Sequence, residues 1–528
     1  MYVIDTSKTM ADIGYTEYRV QQMMSRGIKV GNIEPIYNYY NNMTEILKNE
    51  IAETYGIANV NSSKQITEYL ERLSNQVDMG AKNDIVNICY SDEDMKWTSN
   101  AEALGKLADL GYDIASDVLS YRKAKKYADS VKNLMEYMDE NRLIHPVVTL
   151  SKTNRINYSK PALMNIPKKL LWNLIAPISN DDVLYSVDIK NQEPSILINY
   201  LDDATLKEAL QTEGGLYENL FKKVFSPTVE MNMDPLYLEE QRIYSIDELR
   251  QVPFVEPAMY LPKKAECKSF YYNNERIVAV ETICQGYKPG CEIQYPDKVM
   301  IETDARKLYE VDVTWRKDFK PKKSDRFTII GDIHGVEFRL NKAERKEFKV
   351  AWNALAYGAS AFGIKRICKI IDGMKIYRFF NGLESFKKYK KLIDSKIKDK
   401  KYSIPTIFGT MVDAGETDPK RLKRILLDIP IQGTGSDILS CLIKHFDDET
   451  KKLNISDKVF IYYTRHDELI IEVNKAWRSE VGEDYVSNLL RNTLEHQIVL
   501  NGKEWIPFKV EVDELKPLEL QIYEEEDE

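Results

Sequence analysis

Between residues 8 and 142, apolar residues recur at three- and four-residue intervals, the period of a helix with one buried face. PIYNYYNNMTEILKNEIAETYG and NAEALGKLADLGYDIASDVLSYRKAKKYADSVKNLMEYMDE carry this pattern best. Asn61-Ser62-Ser63 supplies an N-cap ahead of KQITEYLERL. From HPVVTL (145–150) the pattern turns mixed. VLYSVDI (183–189) reads as a strand running into PSILINYL, where Pro194 suits a first helical turn. Residues 226–340 differ again: they hold eight of the 19 prolines and short strand-like runs such as KSFYY, RIVAVETI and RFTIIGDIHGVEFRL. They predict a β-rich inserted module. Helical periodicity returns at KAERKEFKVAWNALAYG and holds to about residue 450. Then VFIYYTRHDELIIEV (459–473) sets two β-favouring runs, Val459 to Tyr463 and Leu469 to Val473, around His466-Asp467-Glu468. That predicts a hairpin with three ionisable side chains at its bend.

Composition narrows the class without naming a function. The 528 residues, 43% apolar and 30% charged, suit a globular protein of two or more subdomains. No apolar run approaches a membrane span, and MYVIDTSKTMADIGY lacks the basic-then-apolar order of a signal peptide. The six cysteines show no CxxC spacing, so reduced thiols in a cytoplasmic, monomeric protein without a membrane partner are expected. A net charge of −9 weighs against a nucleic-acid partner, but the basic residues cluster: YRKAKKY (121–127), KKYKK (387–391), KIKDKK (396–401) and KRLKR (420–424). Each is either a solvated helix face or part of a phosphate-tracking surface. The acidic tail YEEEDE accounts for some of the negative balance and is expected to be disordered.

Two constellations carry candidate chemistry. Asp188 ends a strand and Glu193 follows at the start of a helix, a spacing that means little alone. Paired with Asp467, it supplies two carboxylates on separate strand ends, able to share two hard divalent cations roughly 3.5–4 Å apart. Arg345, Lys349, Asn353 and Tyr357 are spaced by four and form one helix stripe, each rising about 6 Å from the last. A guanidinium fork and an ammonium one turn apart suit a triphosphate. The same stripe could instead be a solvated basic face with its Tyr in the core.

Here the residues resemble a known family. Arg345, Lys349 and Tyr357-Gly358 resemble the fingers-helix motif of family A, DNA polymerase I-like, DNA polymerases. TNRINYSKPALMNIP (153–167) is similar to that family's TGRLSS…PNLQNIP segment, DIKNQE (188–193) to DYSQIE, RILLDIPIQGTGSDI (424–438) to RxxxNxPxQGT, and RHDELIIEV to VHDEL. The motifs run in the family's order. Apart from the insertion and the tail, the similarity covers nearly the whole chain.

The resemblance implies a mixed α/β (α+β) right-hand fold around primer–template DNA. Its parts would be a helical lead-in (1–50), thumb (51–143), palm (144–225 and 424–518), β-rich insertion (226–340), fingers (341–423) and acidic tail (519–528). It further implies a DNA-directed DNA polymerase that adds dNTPs to a primer 3′-hydroxyl with two Mg²⁺ ions, replaceable by Mn²⁺. Asp188, Asp467 and the Ile189 carbonyl would hold the metals, with Glu468 supporting the site. Arg345 and Lys349 would bind the triphosphate, Lys349 also stabilising its developing charge, with Asn353 and Tyr357 along the same stripe. Glu193 would exclude the ribose 2′-hydroxyl. Arg155, Arg424, Asp428, Gln432 and His466 would meet primer or template, as would Tyr121, Arg122, Lys123, Lys125 and Lys126.

Related single-subunit RNA polymerases share a LAYG-like motif but lack that Glu and carry HDS, so both differences point to DNA. A catalytically inactive DNA-binding descendant is the other alternative, though binding alone would not need the aspartate pair. Asn353, Asp428, Ala162 and Met164 depart from the family's Phe or Tyr, Asn, Asn and Gln, which predicts weaker selectivity at the primer end. YVIDTSK lacks an exonuclease Asp-x-Glu, so no 3′–5′ proofreading is expected. The insertion is expected to contact downstream DNA or a replication protein, with KPKK (320–323) as one contact, or else to be a surface decoration. A stand-alone architecture rich in Asn, Lys and Tyr suggests a phage origin and hence host cytoplasm.

Overall fold

The structure is a computed structural model. It describes residues 1–6, 10–91, 95–151, 153, 155–179, 181–225, 228–233, 258–260, 270–282, 298–315, 327–338, 340–399, 402–416 and 418–515. KPKK and the acidic tail lie outside the described residues. The chain divides into two compact units, residues 1–190 with 435–528 and residues 191–434.

The first unit opens with a helical layer. Helices Glu34–Tyr55 and Asp113–Tyr137 run along each other, joined by Ser63–Ser74, Met79–Cys89 and Ala101–Asp109. Their inward stripes (Ile51, Ile66, Leu70, Ile85, Leu104, Leu107, Ile114, Val118) form one core. Side chains cap the shorter helices: Ser62 accepts from the Gln65 N–H, Asp78 from Gly80 and Ala81, and Asn100 from Ala103. The lead-in read as helical does hold helix Met10–Arg26, but also strands Tyr2–Asp5 and Ile28–Val30. Tyr2–Asp5 pairs in parallel with His496–Leu500, joining segments from opposite ends of the sequence.

The same unit contains a four-stranded antiparallel sheet in the order 459–465, 468–474, 182–189, 510–514. The expected hairpin is there, as strands Val459–Arg465 and Glu468–Asn474. Its two-residue bend, His466-Asp467, puts His466 in the left-handed region at φ 54°. Strand Asp182–Ile189 lies between 468–474 and 510–514, which explains its near-continuous apolar run, Leu184, Tyr185, Val187 and Ile189 all being buried.

Within that sheet Glu472 is fully buried, and its Oε2 has no hydrogen-bond partner. Burial pushes its carboxyl up to about 7 against hydrogen bonds from the Ile178 and Ser179 backbone. Because the folded value exceeds the unfolded one, near 4.5, the folded state binds more protons between them. Stability is therefore fully present below pH 4.5 and falls as pH rises through about 7. Glu472→Gln is expected to stabilise the chain at pH 8 by up to about 3 kcal/mol, with no gain at pH 4. Urea unfolding at the two pH values measures the difference.

The second unit, residues 191–434, carries the insertion. Described strands form an eight-stranded antiparallel sheet in the order 258–260, 228–233, 327–333, 308–315, 298–303, 275–282, 270–272, 337–338. One face buries Ile277, Val299, Ile301, Val311, Val313 and Ile333. The other exposes Lys298, Glu302, Glu310 and Asp312. The β-rich expectation holds, and the described part of the exposed face is acidic on balance.

Helices Leu216–Val224 and Lys342–Ala356 flank the insertion and pack on each other through aromatic rings. Phe221 and Phe225 lie 5.2 and 6.5 Å from Phe348, and Trp352 lies 4.6 Å from Phe380. Lys342–Ala356 begins with a capping box between Asn341 and Glu344, and it buries Phe348, Ala351, Trp352 and Leu355. Helix Pro419–Lys452 has Pro430 inside it. The Pro430 carbonyl accepts from the Thr434 hydroxyl at 2.5 Å.

Candidate active site

In the first unit the sheet register brings the carboxylates together. Glu468 lies directly across from Asp188, and the Ile189 N–H donates to the Asp467 carbonyl at 3.2 Å. Residues far apart in sequence are thus neighbours at one end of the sheet, their backbones fixed by the ladder. Asp188 is about a third exposed, whereas Glu468 is buried and accepts from the Ser186 hydroxyl. Ser186 and Asp188 share a face because side chains alternate along a strand.

Lys168 closes this corner, a residue that reading the sequence did not single out. Its Nζ lies 2.8 Å from Asp188 Oδ2 and 3.1 Å from Glu468 Oε2. Burial pushes Glu468 above the ordinary carboxylate range despite the Ser186 and Lys168 contacts. Burial also opposes charge on Lys168, but Asp188 and Glu468 outweigh it and hold the ammonium above its usual value. Lys168 begins helix Lys168–Leu174, right after the loop similar to NIP. That loop is tied to the hairpin: Arg465 Nη2 donates to the Ile166 carbonyl at 2.8 Å, and the Tyr158 and Thr464 hydroxyls meet at 2.6 Å.

The corner fits a divalent metal by its donor chemistry. Its groups are hard oxygens, and a side-chain cation already bridges two of them. Among the described residues no three His, Cys, Asp or Glu side chains are assembled around a single point. The side-chain oxygens placed at the corner are those of Asp188 and Glu468, and Asp467 reaches it through its backbone carbonyl.

In the second unit the predicted stripe forms on Lys342–Ala356 and its C-cap. Arg345 and Lys349 are exposed, whereas Asn353 and Tyr357 are half-buried. All four meet partners the sequence did not suggest. The Arg345 guanidinium and the Lys349 ammonium lie 5.9 and 5.6 Å from the centre of the Tyr217 ring, whose hydroxyl donates to Asn353 Oδ1 at 3.5 Å. Arg345 Nε donates to Glu218 at 2.5 Å. The carboxylate of Glu218 folds over Gly215, where a Cβ would come within 1.7 Å of it. The Tyr357 hydroxyl donates to Glu193. Gly358 has φ +83°, and a Cβ there would meet Leu427 at 2.7 Å, so both conformation and space call for glycine.

The other candidates divide. Tyr121 is a correction: it is 2% exposed, in the core between helices, because helical periodicity turns the first residue of YRKAKKY inward. Arg122 is half-buried and donates to the Ser99 carbonyl at 2.5 Å. Lys125 pairs with Asp129 at 3.2 Å, and Lys123 and Lys126 are exposed. His466 is exposed and Arg155 half-buried. Arg424, Asp428 and Gln432 share one face of Pro419–Lys452, the first exposed and the others half-buried. Met164, one of the departures, accepts from the Tyr463 hydroxyl at 3.8 Å.

Comparison with known proteins adds independent findings. A sequence model of the family described as DNA polymerase family A matches residues 33–235 and 318–514, well over half of the chain. The interruption falls inside the insertion. DNA polymerase I of Aquifex aeolicus (strain VF5) is 28% identical over 174 residues, 31% of this chain and 29% of that protein. DNA polymerase I of Caldicellulosiruptor bescii is 26% identical over 193 residues, 35% of this chain and 21% of that protein. The chain thus matches less than a third of the length of these relatives. Among solved structures, the POL domain of Pol1 from M. smegmatis, in complex with DNA primer-template and dNTP, has a similar fold. The TM-score is 0.61 at 17% identity, covering 96% of this chain and 70% of that one. The shared fold is that of a right-hand polymerase domain.

Proposed function

This chain belongs to DNA polymerase family A, and from that premise we propose that it is a template-directed DNA polymerase extending a primer 3′-hydroxyl with dNTPs. The observation that carries the reading is the register joining strands 182–189 and 468–474, with Asp188 across from Glu468 and the Asp467 carbonyl bonded to Ile189. Binding DNA alone gives no reason to gather these carboxylates.

Asp188 and Asp467 would hold two Mg²⁺ ions, or Mn²⁺ in their place, with the Ile189 carbonyl as a further ligand and Glu468 as support. Such ions acidify the attacking hydroxyl and stabilise charge on the departing pyrophosphate. Lys349 and Arg345 bind the triphosphate and neutralise charge that builds on it. Tyr217 lies under both cations and limits their wandering. His466, on its left-handed bend, meets the primer terminus. Arg155, Arg424, Asp428 and Gln432 meet the duplex, and the exposed Lys123 and Lys126 track its phosphates, with Arg122 and Lys125 beside them.

Glu193 selects the sugar. Its carboxylate is held by the Tyr357 hydroxyl and so has one fixed direction. A 2′-hydroxyl brought against it would clash with the carboxylate and strip it of water. Glu193→Ala is expected to raise rNTP incorporation relative to dNTP by on the order of 10²-fold, about 2.7 kcal/mol of lost discrimination. Competitive single-nucleotide insertion measures that ratio.

The chain is further proposed to act as a monomer that leaves mismatched primer ends intact. Tyr2–Asp5 lacks an Asp-x-Glu pair and lies in a sheet with His496–Leu500. The described part of the insertion's exposed face, acidic on balance, favours a replication protein over DNA as its partner. The deciding experiment offers dNTPs and rNTPs separately on a primed template, with a mismatched primer alongside. Extension with dNTPs and an unshortened mismatch is the expected result. Extension with rNTPs alone, or none at all, would overturn the reading.

A further inference from the structure

We propose that Lys168 is a resident counter-cation of the carboxylate corner, which a divalent metal must displace to bind. The inference rests on the reading of Asp188 and Asp467 as metal ligands. Its basis is geometric: one ammonium bridges Asp188 Oδ2 at 2.8 Å and Glu468 Oε2 at 3.1 Å. With Glu468 2% exposed, those carboxylates without a cation would be a poorly solvated pair of like charges. The ammonium relieves that repulsion before any metal arrives.

Two features suit Lys168 to a displaceable role. Its side chain is 44% exposed on a flexible four-carbon stem, so it can swing into solvent at little cost. Its backbone, by contrast, is anchored. Arg465, two residues before Asp467, holds the Ile166 carbonyl two residues before Lys168. The ammonium therefore starts each cycle beside the same carboxylates. A metal that takes Asp188 as a ligand competes with the charge-assisted hydrogen bond from Lys168 and must sit beside the ammonium or displace it from Asp188 and Glu468. The empty site is consequently stabilised, and metal affinity is lowered until substrate charge favours the exchange.

The test titrates Mn²⁺ into the full chain without DNA or nucleotide and follows free Mn²⁺ by electron paramagnetic resonance. Lys168→Met keeps the length of the stem and removes the charge. It is expected to bind Mn²⁺ about tenfold tighter or more than wild type, with Asp467→Ala cancelling the gain. Lys168→Arg should bind like wild type. In chelator, Lys168→Met should melt below wild type, and saturating Mg²⁺ should close that gap; a purely structural ion pair would leave it open. Equal affinity in wild type and Lys168→Met, with Asp467→Ala weakening both, overturns the counter-cation role and leaves the metal site standing. Affinity indifferent to Asp467→Ala overturns the metal site itself.

Discussion

Asp467→Ala is expected to slow primer extension by on the order of 10³-fold, equivalent to about 4 kcal/mol of lost transition-state stabilisation. Asp467 sits at a two-residue bend, and its backbone carbonyl rather than its carboxylate takes the Ile189 N–H. The ladder bond made by that carbonyl therefore survives the substitution. Glu468→Ala would be a poorer probe, because this buried carboxylate also binds Ser186 and Lys168. Asp188→Ala should be as slow as Asp467→Ala while also releasing Lys168. Single-turnover extension, with a denaturant melt of each variant, separates lost chemistry from lost structure.

Lys349→Ala should lower kcat/KM for dNTP by about 10²–10³-fold while primer–template affinity stays near wild type. Each charge-assisted hydrogen bond to a phosphate contributes about 1.5–3 kcal/mol, and an ammonium can make two. Arg345→Ala should cost less. Its guanidinium is already engaged by Glu218, so part of any gain from a phosphate is offset by loosening that pair. The Lys349 ammonium is exposed and rests above the Tyr217 ring, a contact it can retain with phosphate bound. Nucleotide titrations under single-turnover conditions, with DNA affinity measured separately, give both quantities.

What could be read from the sequence follows from the range of the interactions involved. The hairpin, the strand ending at Asp188 and the 342–356 helix each carry their own period and punctuation, so their form was predictable from a dozen residues. The stripe from Arg345 to Tyr357 followed from spacing alone. Its partners did not: Glu218 is 127 residues from Arg345, and Glu193 is 164 from Tyr357. Lys168 stands 20 residues before Asp188 and looked like one more basic residue after a proline. One signal was available and unused, since strand alternation already put Ser186 on the Asp188 face. Tyr121 shows the opposite error. A basic run was read as a linear surface, although its helix turns every fourth residue or so inward. In the insertion the strands at 270–272, 275–282 and 327–338 were legible as runs, those at 228–233, 298–303 and 308–315 were not singled out, and the order was hidden because 228–233 pairs across the sequence with 327–333.

The rings of Phe221 and Phe225 against Phe348 clasp the two stalks from which the eight-stranded sheet hangs. The stalks touch through their own side chains, below the point where the sheet begins, so their contact does not depend on the cargo above. Such a socket should outlast its load: with the sheet shortened, helix 342–356 is expected to keep its seat against Phe221 and Phe225.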